Sequence, residues 1–379
     1  MESLPGDRPP FWKTALTGFG PFVLFFLIAL GAYHVPAGAV GEYNLKVYVM
    51  ACIAIIMAVS LNVVNGYTGQ FSLGHASFMA VGAYVSGFVT YYGSFRIWGN
   101  ADIHGGLLGS GDLLFLASLL AGGVVAAGFG WLVGLPSLRL RGDYLAIVTL
   151  GFGEILRVVL QRTGSVMRDP EKIAATPIVS VGRDDSGVPR LEGLLTQVGG
   201  TLGFDGLPKY TNVFWVTFFA LVVIFVAYRL KCSIHGRAFI AIRENEIAAE
   251  AMGVNTTKYK VRAFMIAAFF AGIGGGLFAH EQATLLNPKE LGFQKSLDYV
   301  IMVVLGGMGS ISGAVVAAVG LTILPEVLRS AEQFRMIFYA LLLIIVMIWR
   351  PQGLFGIHEV WELKWVRRLT AKVRGKRDG

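Results

Sequence analysis

The chain has 379 residues, of which 55% are hydrophobic and only 15% charged, against about 25% charged in ordinary soluble domains. Its length alone would allow two or three soluble domains. A mean hydropathy of +0.63 leaves no charged surface for a water-soluble fold of this size, so the chain reads as a polytopic integral membrane protein. The net charge is +8, but Lys and Arg cluster in loops between apolar runs, which follows the positive-inside rule and not a nucleic-acid-binding face. Cys52 lies in an apolar run and Cys232 in a basic loop, so neither a disulfide framework nor a thiolate metal site is expected, and no cofactor is implied.

Runs free of Asp, Glu, Lys and Arg cover 14–41, 47–95, 113–138, 210–228, 263–280, 299–325 and 336–349. A bilayer core takes about 20 apolar residues per helix. The second run therefore holds two spans, with a break near Asn65-Gly66-Tyr67-Thr68-Gly69. A further span, 143–160, carries Glu154 and Arg157 at i,i+3 spacing, where they neutralise each other on one helix face. The beginning of the chain resembles a signal peptide, with Arg8 and Lys13 before an apolar run and Ala37-Gly38-Ala39 after it. That run exceeds an ordinary h-region and many spans follow, so it reads as an uncleaved first transmembrane helix.

Basic residues set the orientation. With the N-terminus in the cytoplasm, spans at 15–34, 47–64, 71–93, 113–135, 143–160 and 211–229 place three loops inside. These are the break at 65–70, Arg139/Arg141, and the stretch 229–262 with seven Lys or Arg residues. Three more simple spans would leave the basic tail at 351–379 outside, so an extra crossing or re-entrant turn is expected between 282 and 349. Gly306-Gly307-Met308-Gly309-Ser310 is the candidate. The polar insertion 161–210 falls outside; the sequence leaves open whether it is a small ordered cap or a flexible loop. The expected fold is all-α, a single polytopic transmembrane helical bundle with broken or re-entrant helices and an internal repeat.

Two clusters bear on function. The segment from Leu61 to Ser77 sets two Asn, a Gln, a Thr, two Ser and a His between apolar helices. Main chain that leaves helical form in a membrane must be buried in protein or line a wet cavity, and a half-helix starting near Ser72 would aim its positive end at that cavity. Asn62, Asn65, Gln70, Ser72, His75 and Ser77 are thus candidates for a translocation-path wall. The competing reading is an interhelical turn whose polar groups bond to neighbouring helices. His75 taken alone reads as a satisfied structural histidine, since no Asp or Glu lies in the apolar run around it. The second break adds Gly306, Gly307 and Ser310. Both breaks precede a helix of small residues, the mark of an internal repeat with a midplane site or of close helix packing.

A third cluster lies in the 229–262 loop. Asn245 is placed to cap a short helix through Ala251, Glu244 and Glu246 suit its positive end, and Gly253 suits a left-handed stop. Ile247, Ala251 and Met252 form an apolar stripe. A membrane-surface helix would carry Lys or Arg opposite such a stripe, whereas this one carries glutamates, which favours docking into a groove on a soluble partner over a solvated connector. The only Gly-Lys pair, Gly375-Lys376, is followed by Arg377, so no phosphate-binding P-loop is present, and His280-Glu281 lacks the second His of a zinc-protease helix.

Together these segments resemble the permeases of branched-chain amino acid ABC importers, specifically their M-type inner-membrane subunit. The resemblance rests on Asn65 to Ala76, Gly142 to Phe152, Gly236 to Gly253, Tyr299 to Gly313, and Trp349-Arg350-Pro351-Gln352-Gly353-Leu354-Phe355-Gly356. It implies an ATP-driven importer in which this chain is a non-enzymatic half of the pathway. The implied partners are a second permease in a heterodimer, two cytoplasmic ATPase subunits and a periplasmic solute-binding protein, all at the inner membrane of a bacterium. It also implies ATPase coupling through Arg243, Glu244, Glu246, Glu250 and Gly253. The loop departs from the general importer pattern of Glu-Ala-Ala, three residues and Gly, because Ile247 stands six before Gly253. Related permeases serve urea or short amides. The rival class is an ion- or proton-coupled secondary carrier, for which His75 and the Glu154/Arg157 pair are the mid-membrane groups; a non-transporting scaffold is the third.

Overall fold

The computed structural model describes residues 11–34, 41–135, 143–183, 189–282 and 284–331, together with 337, 340, 341, 344, 345, 348–350, 353–356 and 359. The long helices are α1 (Phe11–Tyr33), α2 (Glu42–Asn62, extended by a π turn over Val63–Tyr67), α3 (His75–Trp98), α4 (Ser110–Gly134) and α5 (Asp143–Gln161). A short α6 (Pro170–Ala175) precedes α7 (Val213–Cys232), α8 (Ile234–Glu244), α9 (Glu246–Ala251), α10 (Thr256–Glu281), α11 (Phe293–Gly306) and α12 (Ile311–Val327). Among the described residues, five helices are long and apolar enough to cross a membrane: Glu42–Tyr67, Ser110–Gly134, Tyr144–Gln161, Val213–Cys232 and Thr256–Glu281. The fold is the expected polytopic helical bundle. Helix starts follow side-chain caps: Asn212 accepts from the Trp215 amide, Asn255 from Lys258, and Ser310 from Gly313.

The centre of the bundle is α3, α4 and α10, and small residues let them touch. Gly272 and Gly276 on α10 face Gly82 and Ser86 on α3, and Gly122, Ala126 and Gly130 on α4 close the third side. A Cβ on Gly82 would overlap the Gly272 carbonyl, and one on Gly122 would sit 2.8 Å from the Gly82 carbonyl oxygen. In lipid there is no hydrophobic drive between helices, so backbone approach of this kind supplies the packing. The small residues after the first break therefore serve close helix packing.

Helix α1 lies on α7 through Phe22, Phe25 and Phe26, which meet Phe225 and Phe214 edge-on. At one end of the bundle stand Arg229, Lys231, Arg237, Arg243, Lys258, Lys260 and Arg262; this is called the basic end below. The opposite end carries an ordered cap built from the 161–210 insertion. In it β1 (Ser180–Arg183) pairs antiparallel with β2 (Pro189–Glu192), and β3 (Phe204–Asp205) with β4 (Leu285–Leu286). Ile173, Leu194 and Phe204 are buried beneath the cap, and Tyr92 donates to the Gln197 carbonyl at 2.6 Å. Among the described residues, these short strands depart from the all-α expectation.

The apolar run 299–325 is two helices. Helix α11 descends to the basic end, the chain reverses over 307–310, and α12 returns to the far end, where Glu326 accepts from Tyr43 at the start of α2. The Leu354 amide then donates to the Leu305 carbonyl at 2.8 Å, so the chain is back at the basic end by 353–356. The extra reversal, which the charge count requires between 282 and 349, falls at the candidate Gly306–Ser310. The residues of the basic tail beyond 359 lie outside those described.

Gly82→Val should lower the unfolding midpoint sharply, since overpacking a tight core typically costs about 1–3 kcal/mol or more. Gly128→Ala, on the same central helices but with open space around its Cβ position, should leave the midpoint unchanged or raise it. Fluorescence-monitored thermal unfolding in detergent distinguishes them; equal effects would refute the three-helix contact.

Candidate functional site

The first break begins where α2 loosens into the π turn. Arg243 and Thr68 hold two of its carbonyls: Arg243 Nη1 donates to Gly66 O at 3.0 Å and Thr68 Oγ1 to Val64 O at 2.7 Å. The chain then climbs back into the bundle without helical bonds. Its amides are taken by side chains, Ser72 N by Asn65 Oδ1 at 3.1 Å and Leu73 N by Thr149 Oγ1 of α5 at 3.0 Å. For that reason α3 starts at His75 and not near Ser72, and its first amides are met by the Ser296 hydroxyl and the Gly74 carbonyl. His75 Nε2 lies 2.9 Å from Ser60 Oγ, which is seven residues before the end of the π turn. At 1.5 Å per residue the irregular strand therefore rises about 10 Å into the bundle.

The second break meets the first. Asn62 Nδ2 donates to Ser310 O at 3.1 Å while its Oδ1 accepts from Gly309 N at 2.8 Å. One amide side chain thus bonds both faces of the opposite turn. Gly307 and Gly309 have φ of 107° and 96°, where side chains are strained, and a Cβ on Gly66 would lie 2.5 Å from Gly309 N. Lys231 Nζ donates to Gly309 O at 2.8 Å and to Glu359 Oε1 at 2.6 Å. Glu359 in turn accepts from Ile311 N at 3.1 Å and from Ser312 N at 3.0 Å, capping the positive end of α12. Burial alone would raise the Glu359 carboxyl; the Lys231 ammonium and the Ser312 and Ile311 donors outweigh it and hold the group below the ordinary glutamate value.

The expected path residues do not share one place. Asn62, Gly306, Gly307 and Ser310 belong to the joint between the breaks. His75 and Ser77 are fully engaged inside the bundle, Ser77 donating to the Gly74 carbonyl. Gln70 lines a cleft of about 250 Å³ with Thr68, Gly69, Arg243, Glu246 and Lys260. Asn65 Nδ2 and Ser72 Oγ are buried and find no partner among the described residues. Sequence reasoning missed Thr149, Lys231, Ser296 and Glu359, whose roles arise from contacts between distant parts of the chain.

The loop helices sit against this joint. Asn245 caps α9 by accepting from Ala248 N at 3.0 Å, and Gly253 has φ 85° as a left-handed stop. Ile247 and Met252 are 68% and 84% exposed. Glu246 is turned inward, bonded to the buried Lys260 of α10 at 2.5 Å, and Glu244 pairs with Arg243 at 2.7 Å. Glu244 and Glu250 are exposed, and Glu250 is the exposed glutamate on α9 itself, with Ile247 and Met252 close in sequence.

Long apolar helices around two bonded, non-helical reversals define a multi-pass helical membrane protein. The family model described as branched-chain amino acid transport system / permease component matches residues 43–347, and the chain belongs to that family. It is 35% identical to the high-affinity branched-chain amino acid transport system permease protein LivM of Escherichia coli K12, over 93% of this chain and 79% of the relative. The LivM protein of Salmonella typhimurium is also 35% identical, over 91% of this chain and 78% of its own length. The permease protein LivH of E. coli K12 is 27% identical over 80% of this chain and 92% of LivH. No solved structure matches.

Glu359→Gln should lower the unfolding midpoint at pH 7, hydrogen bonds to charged groups being worth about 1.5–3 kcal/mol each. Because the folded carboxyl titrates below its ordinary value, its stabilisation is present above that value and is lost as pH falls through the lowered one. The midpoint gap between wild type and Glu359→Gln should therefore shrink between pH 7 and pH 3. A gap that stays constant would mean the carboxylate charge is not its source.

Proposed function

We propose that this chain is the membrane permease subunit of an ATP-driven ABC importer for branched-chain amino acids and forms half of its translocation pathway. The second half is another permease in a heterodimer; two cytoplasmic ATPase subunits drive the cycle and a periplasmic solute-binding protein delivers the solute. The basic end faces the cytoplasm under the positive-inside rule, in the inner membrane. The observation that carries this reading is the 35% identity to LivM across 93% of the chain. The exposed Ile247/Met252 surface of α9 gives the ATPase a place to dock, with Glu250 beside it.

From α9 the motion has a bonded route. Glu246 fastens α9 to α10 through Lys260, Arg243 joins α8 to the Gly66 carbonyl, and Asn62 joins that break to Gly309 and Ser310. Gly253 lets the chain turn from α9 towards α10. Asn65, Gln70 and Ser72 serve the path in a rearranged state; an unpaired buried polar atom costs about 1–3 kcal/mol, which favours a state that wets Asn65 and Ser72.

Reconstitution of the importer in liposomes tests this. ATP-driven leucine uptake is expected, and Met252→Asp with Ile247→Asp should reduce it at least tenfold while the two permeases still co-purify, because both side chains are exposed. Uptake within twofold of wild type would remove α9 from the docking surface. Uptake by this chain alone under a proton or sodium gradient would instead establish a secondary carrier. Cysteines placed at 65, 70 and 72 should react with a water-borne thiol reagent in at least one nucleotide state; protection in all of them would exclude these positions from the path.

A further inference from the structure

We infer that the face shared by α5 and α11 is this chain's wall of the solute path, and that its two cations and two anions receive the two ends of a zwitterionic amino acid. The inference rests on the permease reading and names the surface within it. Four charged side chains sit deep in the bundle: Glu154 and Arg157 on α5, and Lys295 and Asp298 on α11. Their level follows from contacts. Gly153 faces Ser77 on α3, and a Cβ on Gly292 would lie 3.3 Å from Arg157 Cδ and 3.8 Å from Glu154 Oε1. Ser296 donates to the Leu73 carbonyl, and the Tyr299 hydroxyl lies 3.3 Å from Met79 Sδ. All four charges thus stand level with the first turns of α3, which itself begins well inside the end of α2.

These side chains are not sealed inside the protein. Arg157 and Glu154 are 29% and 39% exposed and bonded to each other at 2.7 Å. Lys295 and Asp298 are half-buried, and Gln294 beside them is exposed. Lys295 Nζ is held over the Phe278 and Tyr299 rings, 5.9 Å from each centroid. Ionisable groups at bilayer depth are costly against lipid and face a bundle interior or a watery cavity. Because these are open on the surface of this chain, the water or protein that covers them comes from the far side of the α5–α11 face, where the pathway is completed. The strip carries two cations and two anions. A solute of one sign would be repelled by half of it, whereas an α-amino acid presents a carboxylate to Arg157 or Lys295 and an ammonium to Glu154 or Asp298.

The test uses the complete importer in liposomes with leucine as the probe. Two paired neutral variants, Glu154→Gln with Arg157→Gln and Lys295→Gln with Asp298→Asn, remove charges without leaving one unpaired. Each should reduce ATP-driven uptake at least tenfold while this chain still co-purifies with the second permease. The exchange Glu154→Arg with Arg157→Glu keeps the ion pair and should also fail. Separately, Gln294→Cys in a background lacking Cys52 and Cys232 should react with a charged, membrane-impermeant thiol reagent. Uptake within twofold of wild type in both neutral pairs overturns the inference, as does complete protection of Cys at 294 in every nucleotide state, which also decides the case if a pair variant fails to fold. Absence of ATP-driven leucine uptake by the wild type would instead overturn the permease reading itself.

Discussion

In hydrocarbon, main chain cannot borrow hydrogen bonds from solvent, so each departure from helix must be answered by a protein group. This constraint governs the architecture around 62–77 and 306–312. The amides of Ser72 and Leu73 are met by Asn65 and Thr149, those of Gly309, Ile311 and Ser312 by Asn62 and Glu359, and the carbonyls of Gly66 and Gly309 by Arg243 and Lys231. Asn62, Asn65, Thr68, Ser77 and Ser310 each bond a backbone group with their side chains. The two breaks hold their irregular shape because they are pinned to each other and to the basic loops.

That pinning also makes the region mechanically continuous. The glycine contacts of α3, α4 and α10 form a dense centre that resists deformation, whereas the joint between the breaks is held by discrete, exchangeable polar bonds. Glu246 ties α9 to Lys260, and Arg243 ties α8 to the first break. Both breaks are down-and-up reversals at the same end of the bundle, so the likeness between them relates two segments of the same direction and not an inverted pair.

Much of this was legible in the sequence. The charge-free runs locate α1, α2, α4, α7 and α10, the span with the Glu154/Arg157 pair locates α5, and the charge imbalance of the tail demands an extra reversal between 282 and 349, for which Gly306–Ser310 is the candidate. The cap and stop of α9 were readable because Asn245 and Gly253 act locally on their own helix. The start of α3 was misplaced by a few residues because the amides of Ser72 and Leu73 are satisfied by Asn65 and by Thr149, a partner 76 residues away. By sequence Glu246 suits an outward docking group; its inward turn depends on Lys260, fourteen residues on, and no local pattern signals that the lysine is buried. The 161–210 insertion was undecided because its order comes from Tyr92, Leu286 and other residues of the bundle, not from its own composition.

The histidines illustrate how location changes the meaning of a residue. His75 and His280 are both fully buried in helices, the feature that would recommend either as a proton relay. Each has both ring nitrogens or one ring nitrogen committed to near neighbours: His280 lies 2.7 Å from Thr90 Oγ1 and 2.8 Å from the Gly276 carbonyl, and His75 sits against Ser60. Neither contacts a carboxylate in the bonds made here, and Phe115 packs edge-on to the His280 ring. A relay needs a chain of titratable groups leading to water, and these two instead join helices across the dry centre. Level with the first turns of α3, Glu154 and Arg157 of α5 and Lys295 and Asp298 of α11 are partly exposed, apart from the histidines that join helices.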